Sequence, residues 1–150
     1  MEAIIFIGIQ ATGKSTFYKE RFFNTHIRIN LDMLRTRHRE SLLIQACIEA
    51  KQPFVIDNTN PAVEDRAKYI PLARAAGFHV CGYYFQSSSK DAIDRNRCRP
   101  EAERVPERGI RGTFSRLQLP SLDEGFDQLF YVRIDEASAF VVEEWVDEVR

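Results

Sequence analysis

The chain has 150 residues, 44% of them hydrophobic and 29% charged, with a formal net charge of −1. That is the size of one domain, able to bury roughly two-thirds of its unfolded surface, and a single unit over 1–150 is expected. Cys47, Cys81 and Cys98 show no paired spacing, which argues against a disulfide framework or a zinc site; the first apolar run is too short to span a membrane and has no basic leader, so a soluble protein of a reducing cytoplasm is expected.

Short apolar runs alternate with helical patterns along the chain. They predict strands at 3–8, 26–30, 53–57, 78–85 and 128–134, and helices at 14–23, 32–50, 61–76, 88–98, 107–117 and 136–149. Such alternation implies parallel βαβ units, hence an α/β fold with a central, mainly parallel sheet of about five strands. Asn60 is expected to cap the third helix, with Pro61 in its first turn, Pro71 kinking it and Gly77 closing it. The closing helix would pack Val141, Val142, Trp145, Val146 and Val149 along one face. The least regular stretch, Arg99 to Pro106, reads as a mobile loop, so a lid is expected near 95–108.

At the end of the first strand stands Gly8-Ile9-Gln10-Ala11-Thr12-Gly13-Lys14-Ser15, the phosphate-binding loop pattern of a nucleoside triphosphatase in its strand–loop–helix setting. Gly8 and Gly13 let the backbone wrap an anion so that successive N–H groups point inward at a helix N-terminus. Lys14 is then placed to reach the β- and γ-phosphates, Ser15 to hold Mg²⁺, and Thr16 to donate to the α-phosphate. A nucleotide such as ATP, with Mg²⁺, is the expected cofactor.

Ligands of open α/β sheets sit beyond the carboxyl ends of the strands, so the polar residues there are the next candidates. Asp32 and Arg35 follow the second strand three residues apart. Two readings stand for them. A carboxylate there can take the proton of an attacking hydroxyl while the arginine grips an acceptor phosphate. Equally, Asp32 can be a helix cap in an ion pair with Arg35, worth about 0.2–0.5 kcal/mol, and spacing alone favours that plainer reading. Asp57 ends the apolar run Phe54-Val55-Ile56, where an acid can hold Mg²⁺ or simply start a turn; the phosphate loop supplies the metal that tips the balance toward the first. Arg95, Arg97 and Arg99 precede the Pro-bounded loop and could close over a triphosphate, although at least one is accounted for as a solvated helix end.

Charge is segregated. Residues 28–39 carry four Arg against one Asp, residues 90–116 carry eight basic against five acidic side chains, and residues 117–150 carry two basic against nine acidic. Arg outnumbers Lys sixteen to five, which suits bidentate phosphate contacts but also follows from genomic base composition.

The string Val55-Ile56-Asp57-Asn58-Thr59-Asn60-Pro61, followed by Arg66, Tyr69 and Ala73-Arg74-Ala75-Ala76-Gly77, resembles the kinase domain of the polynucleotide 5′-hydroxyl kinases. So do the phosphate loop through Phe17, the segment Asn30 to Arg35, and Pro120 to Phe126, so that the resemblance spans nearly the whole chain. It implies a three-layer α/β/α P-loop kinase serving nucleic-acid repair, with a 5′-hydroxyl DNA or RNA end as acceptor. By the resemblance, Asp32 is the general base, Arg35 a contact to an acceptor phosphate, Asp57 part of the metal site, Arg99 the lid arginine on the transferred group, and Arg95 a neighbour of the nucleotide base. One departure is Leu31, where the family usually has Arg. That departure keeps a small-molecule kinase open, and a nucleotide-binding regulatory module that transfers nothing is the remaining alternative.

Overall fold

Strand β1 (Glu2–Ile7) runs through the middle of the computed structural model, which describes residues 1–146. It is followed by α1 (Lys14–Arg21), β2 (Ile27–Ile29), α2 (Leu31–Leu34), α3 (Arg37–Ala50), β3 (Phe54–Ile56), α4 (Val63–Arg66), α5 (Ile70–Ala75), β4 (His79–Phe85), α6 (Ser89–Arg97), α7 (Glu107–Arg116), β5 (Gln128–Ile134) and β6 (Phe140–Glu144). The sheet order is β2-β3-β1-β4-β5-β6. The first five strands are parallel and β6 is antiparallel to β5.

Alternation along the strands builds the three layers, because successive side chains leave opposite faces of a sheet. Ala3, Ile5 and Ile7 pack with Ile44 and Cys47 of α3 and Ile70 and Ala73 of α5, whereas Ile4 and Phe6 pack on the other face with Phe17 and Tyr18 of α1. A smaller cluster of Ile9, Ala11, Ala92, Ile93 and Ile110 seats α6 and α7 against the phosphate loop. The chain thus has the expected α/β/α fold, with six strands rather than about five. From β1 the chain crosses to β2 on one side, and from β3 it crosses to β4 on the other, so a crevice opens where β1 and β3 end side by side.

Several elements depart from expectation. The helix expected at 32–50 is two, because Arg35 adopts φ 75° and Thr36 starts α3 by accepting from Arg39 N–H. The helix expected at 61–76 is also two. Pro71 lies in the first turn of α5 and kinks nothing, while Asn60 caps nothing: at φ 44° its side-chain amide donates to Phe6 C=O at 2.8 Å. Gly77, at φ 84°, does follow the end of α5 as expected. The helix expected at 136–149 is contradicted over its described part, which is a turn and β6; Val149 lies outside the described residues. In that turn Asp135 accepts from the N–H groups of Ala137 and Ala139, so an Asx-type turn reverses the chain and the β-branched Val141 and Val142 pair along β5. No helix among the described residues is long and apolar enough to cross a membrane. The three cysteines are free, Cys98 alone being exposed.

Candidate active site

The phosphate loop leaves β1 as a tight wrap. Gly8 has Phe85 Cβ 3.0 Å from where its own Cβ would sit, and its N–H donates to Thr59 C=O at 2.9 Å, so loop and β3 exit are pinned together. Gly13 has φ 94°, and a Cβ there would meet Phe140 Cε1 at 2.8 Å. The left-handed geometry and the ring of β6 each require glycine at this position. Thr12 Oγ1 donates to Ile9 C=O at 2.8 Å inside the loop, and Gln10 Nε2 ties the loop to Thr113 of α7 at 3.0 Å.

Lys14 is buried under this wrap, its Nζ donating to Ile9 C=O at 2.7 Å and Gly8 C=O at 3.0 Å. Burial pulls its pKa down to about 8, opposed by the negative charge of Asp57 and Asp32 and assisted by Arg99. The ammonium is therefore held ready without a neutralising partner, which suits an incoming anion.

Asp57 ends β3 with a side chain only 1% exposed. Ser15 Oγ donates to its Oδ2 at 3.1 Å, Arg28 Nε donates to the same oxygen at 2.8 Å, and Arg28 Nη2 donates to Ser15 Oγ at 3.1 Å. Two oxygen donors meet at a place that already holds positive charge, which is the donor chemistry a hard divalent cation needs. Ser15 and Asp57 therefore fit Mg²⁺, with a guanidinium as the stand-in.

Asp32 reaches the crevice from the second residue of α2. The capping residue is Asn30, which accepts from Met33 N–H at 3.0 Å and donates to Asp57 C=O at 2.6 Å. Asp32 is exposed, and among the described residues neither its carboxylate nor the Arg35 guanidinium has a hydrogen-bond or ion-pair partner. The cap-and-ion-pair reading of these two residues is accordingly overturned. Asn58 fixes the base of α2 by accepting from Leu31 N–H at 2.9 Å while donating to the buried Glu40 at 3.0 Å. Glu40 in turn accepts from Tyr69 Oη at 3.1 Å and Arg37 at 3.0 Å.

One cleft of about 340 Å³ gathers Ala11, Gly13, Lys14, Ser15 and Thr16 with Asp32, Asp57 and Arg99. Gly8 and Thr12 of the loop, like Arg35 and Arg95, are outside the lining. Arg97 is paired with Glu107 at 2.8 Å. The segment expected to be a mobile loop carries a 3₁₀ turn at Glu101–Glu103, and its end is clamped where the Asn96 amide exchanges two hydrogen bonds with Val105, at 2.7 and 3.0 Å. Gln10, Asn30, Leu31, Asn58, Thr59 and Val105 also line the cleft. Of the polar groups given no role from the sequence, Asn30 and Asn58 carried a signal as capping-type residues at strand ends, and Arg28 as a charge inside a short apolar strand.

Comparison with known proteins bears on the family and the fold. Residues 35–120, more than half of the chain, match the model of the AAA domain family. The chain belongs to that family. It is also 33% identical over 132 residues to the bifunctional polynucleotide phosphatase/kinase of Schizosaccharomyces pombe, covering 83% of this chain but 32% of that protein, so it spans about a third of this relative's length. Among solved structures, a chain of the Pnkp1/Rnl/Hen1 RNA repair complex superposes with a TM-score of 0.64 at 19% identity, covering 78% of this chain and 44% of that one. A gluconokinase from Sinorhizobium meliloti gives 0.63 at 16% identity, covering 90% and 83%. These likenesses bear out the resemblance to polynucleotide kinases and the P-loop kinase fold.

Proposed function

We propose that this chain is an ATP- and Mg²⁺-dependent kinase of a reducing cytoplasm, a single domain over 1–150 with a lid near 95–108, that moves the γ-phosphoryl group to the 5′-hydroxyl end of a DNA or RNA strand in nucleic-acid repair. The observation that carries this reading is the sharing of one cleft by an exposed carboxylate without a partner among the described residues, Asp32, and a loop of phosphate-cradle form with a buried ammonium, Lys14. Asp32 accepts the proton of the attacking hydroxyl. Lys14 and Arg99 stabilise the charge of the transferred group, and the N–H groups of the wrap that Gly8 opens, those of Ala11, Thr12, Gly13 and Thr16 among them, orient the phosphate chain. Ser15 and Asp57 would hold the cation, which when bound would supply positive charge to the phosphate oxygens. Arg35, just outside the cleft, contacts an acceptor phosphate, and Arg95 lies toward the nucleotide base. The likeness to a polynucleotide phosphatase/kinase supports the acceptor class.

The test is transfer of labelled γ-phosphate from ATP to matched 5′-hydroxyl DNA and RNA oligonucleotides, beside nucleosides and sugars, with wild type and Asp32→Asn. Labelled oligonucleotide lost in the variant is the expected result. Leu31 in the cleft lining, where the resemblance implies a cation, favours a second reading as a small-molecule kinase. Label in a sugar or nucleoside alone, with acceptor affinity indifferent to salt, would replace the first reading by the second.

A further inference from the structure

Arg28 has no part in the phosphotransfer just described, yet its guanidinium fork closes a triangle with Ser15 and Asp57. The contacts are 2.8 Å to Asp57 Oδ2 and 3.1 Å to Ser15 Oγ, closed by the 3.1 Å bond between those two. Arg28 is the one ion-pair partner of Asp57 among the described residues; Lys14, though close enough to feel the Asp57 charge, spends its donors on loop carbonyls. The Arg28 side chain is 29% exposed at its place on the edge strand β2, whereas Asp57 is sealed. The arginine therefore has solvent to swing into, and the carboxylate has none.

Resting on the reading of Ser15 and Asp57 as the cation site, we propose that Arg28 is the resident counter-ion of that pair and makes occupancy by a divalent cation conditional on the nucleotide. A buried carboxylate must be neutralised in every state of the protein. A tethered guanidinium does so at high effective concentration and with two directed hydrogen bonds, so a hydrated cation arriving alone gains little by displacing it and leaves the arginine unpaired beside a second positive charge. A triphosphate changes the balance. Its oxygens complete the coordination of the cation, and its negative charge offers the released guanidinium a new partner. The protein thereby accepts cation and nucleotide together and refuses the bare ion.

Binding of Mn²⁺ to the nucleotide-free protein, followed by loss of the free-ion electron paramagnetic resonance signal, tests this without any turnover. Wild type is expected to bind no Mn²⁺ through the millimolar range, Arg28→Met to bind at least tenfold tighter, and Arg28→Met with Asp57→Asn to lose that binding. Arg28→Gln, whose amide keeps a hydrogen bond to Asp57, is the second variant should Arg28→Met not fold. Wild type binding Mn²⁺ alone as tightly as the variants would overturn the proposal, and so would variants that bind none. Wild-type phosphotransfer, measured separately, distinguishes the two failures: kinase activity with equal Mn²⁺ binding sinks only the role of Arg28, while absence of activity on every acceptor sinks the functional reading and leaves the titrations meaningful.

Discussion

Two neighbouring strands, β2 and β3, each deliver an acid to the cleft, and they do it in opposite ways. Beyond β3 the chain is densely tied down: Asp57 is triangulated by Ser15 and Arg28, Thr59 C=O receives Gly8 N–H, the Asn60 amide reaches Phe6 C=O, and the buried Arg66 donates to the carbonyls of Asn60 and Pro61. Beyond β2 stands a helix of four residues, none of them buried, ending at Arg35 with φ 75° and carrying Asp32, which has no partner among the described residues. Its anchors are borrowed from the other side, through Asn30 on Asp57 C=O and Asn58 on Leu31 N–H. Under the proposed function the contrast is a division of labour: the side assigned to phosphate and cation is pre-organised, where misplacement is costly, and the side assigned to the acceptor leaves its carboxylate free for a group that arrives from solution.

The sharpest way to test that division is to remove one element from each side and ask which property fails. Asp32→Asn is expected to lower the phosphotransfer rate by about 10²–10⁴ while shifting stability by no more than about 0.5 kcal/mol, because no protein contact is lost. Arg66→Ala should do the reverse. Its guanidinium is fully buried and makes five hydrogen bonds, two of them to Glu124, so its removal leaves the Glu124 carboxylate without its counter-ion and the Asn60 and Gln118 carbonyls without this donor, while Pro61 C=O keeps Gln118 N–H. A loss of about 3–5 kcal/mol in denaturant unfolding is expected. An Arg66→Ala protein of normal stability, or an Asp32→Asn protein that melts early, would dissolve the contrast.

The pre-organised side is also the side most legible in the sequence. The glycine, lysine and serine spacing of the loop and the apolar run before Asp57 are local signals, and strand ends fall within a residue or two of expectation because a buried parallel strand reads as a continuous apolar run. What escaped depends on partners far along the chain. Arg28, Ser15 and Asp57 are separated by 13 and 42 residues, and nothing local announces their meeting. Residues 140–144 carry a helical pattern that pairing with β5 overrides, a tertiary effect that propensity does not contain. The breaks at Arg35 and near Pro71 had local cues in the capping Thr36 and in proline's preference for a first helical turn, but a continuous apolar periodicity masked them. Asp32 could be read as a cap or as a base until Asn30 proved to be the cap.

A smaller effect probes the cradle through pH. Lys14 has its pKa held down at about 8 by burial. In the ligand-free fold it therefore binds fewer protons than the unfolded chain between pH 8 and its ordinary value of 10.5, so its contribution to stability rises with pH across that window and its cost is complete below it. A phosphate chain beside Nζ favours the charged form. Calorimetry in buffers of differing ionisation heat should show proton uptake on nucleotide binding near pH 9 and none near pH 6.5, with affinity falling about tenfold per pH unit above the ligand-free pKa. Identical proton counts at both pH values would mean that the ammonium is not the group receiving the phosphates.

The smallest perturbation tests whether the support beneath the β3 exit is redundant. Tyr69 is 5% exposed, and burial beside the Glu40 carboxylate pushes its phenol pKa up to about 12, so it stays a neutral donor at any working pH. Tyr69→Phe deletes the hydrogen bond to Glu40 and the one received from Arg37 at 2.8 Å, but Glu40 keeps Arg37 and Asn58. Loss of these two contacts in a network that remains paired costs about 1–2 kcal/mol, read as a lower urea midpoint at unchanged slope. Because Asn58 still holds Leu31 N–H, the phosphotransfer rate should stay within about twofold of wild type, a shift under about 0.5 kcal/mol in the barrier. A rate that falls in step with the number of hydrogen bonds removed from Glu40 would instead make α2 a lever governed by that buried carboxylate, and the acceptor side would no longer count as loosely held.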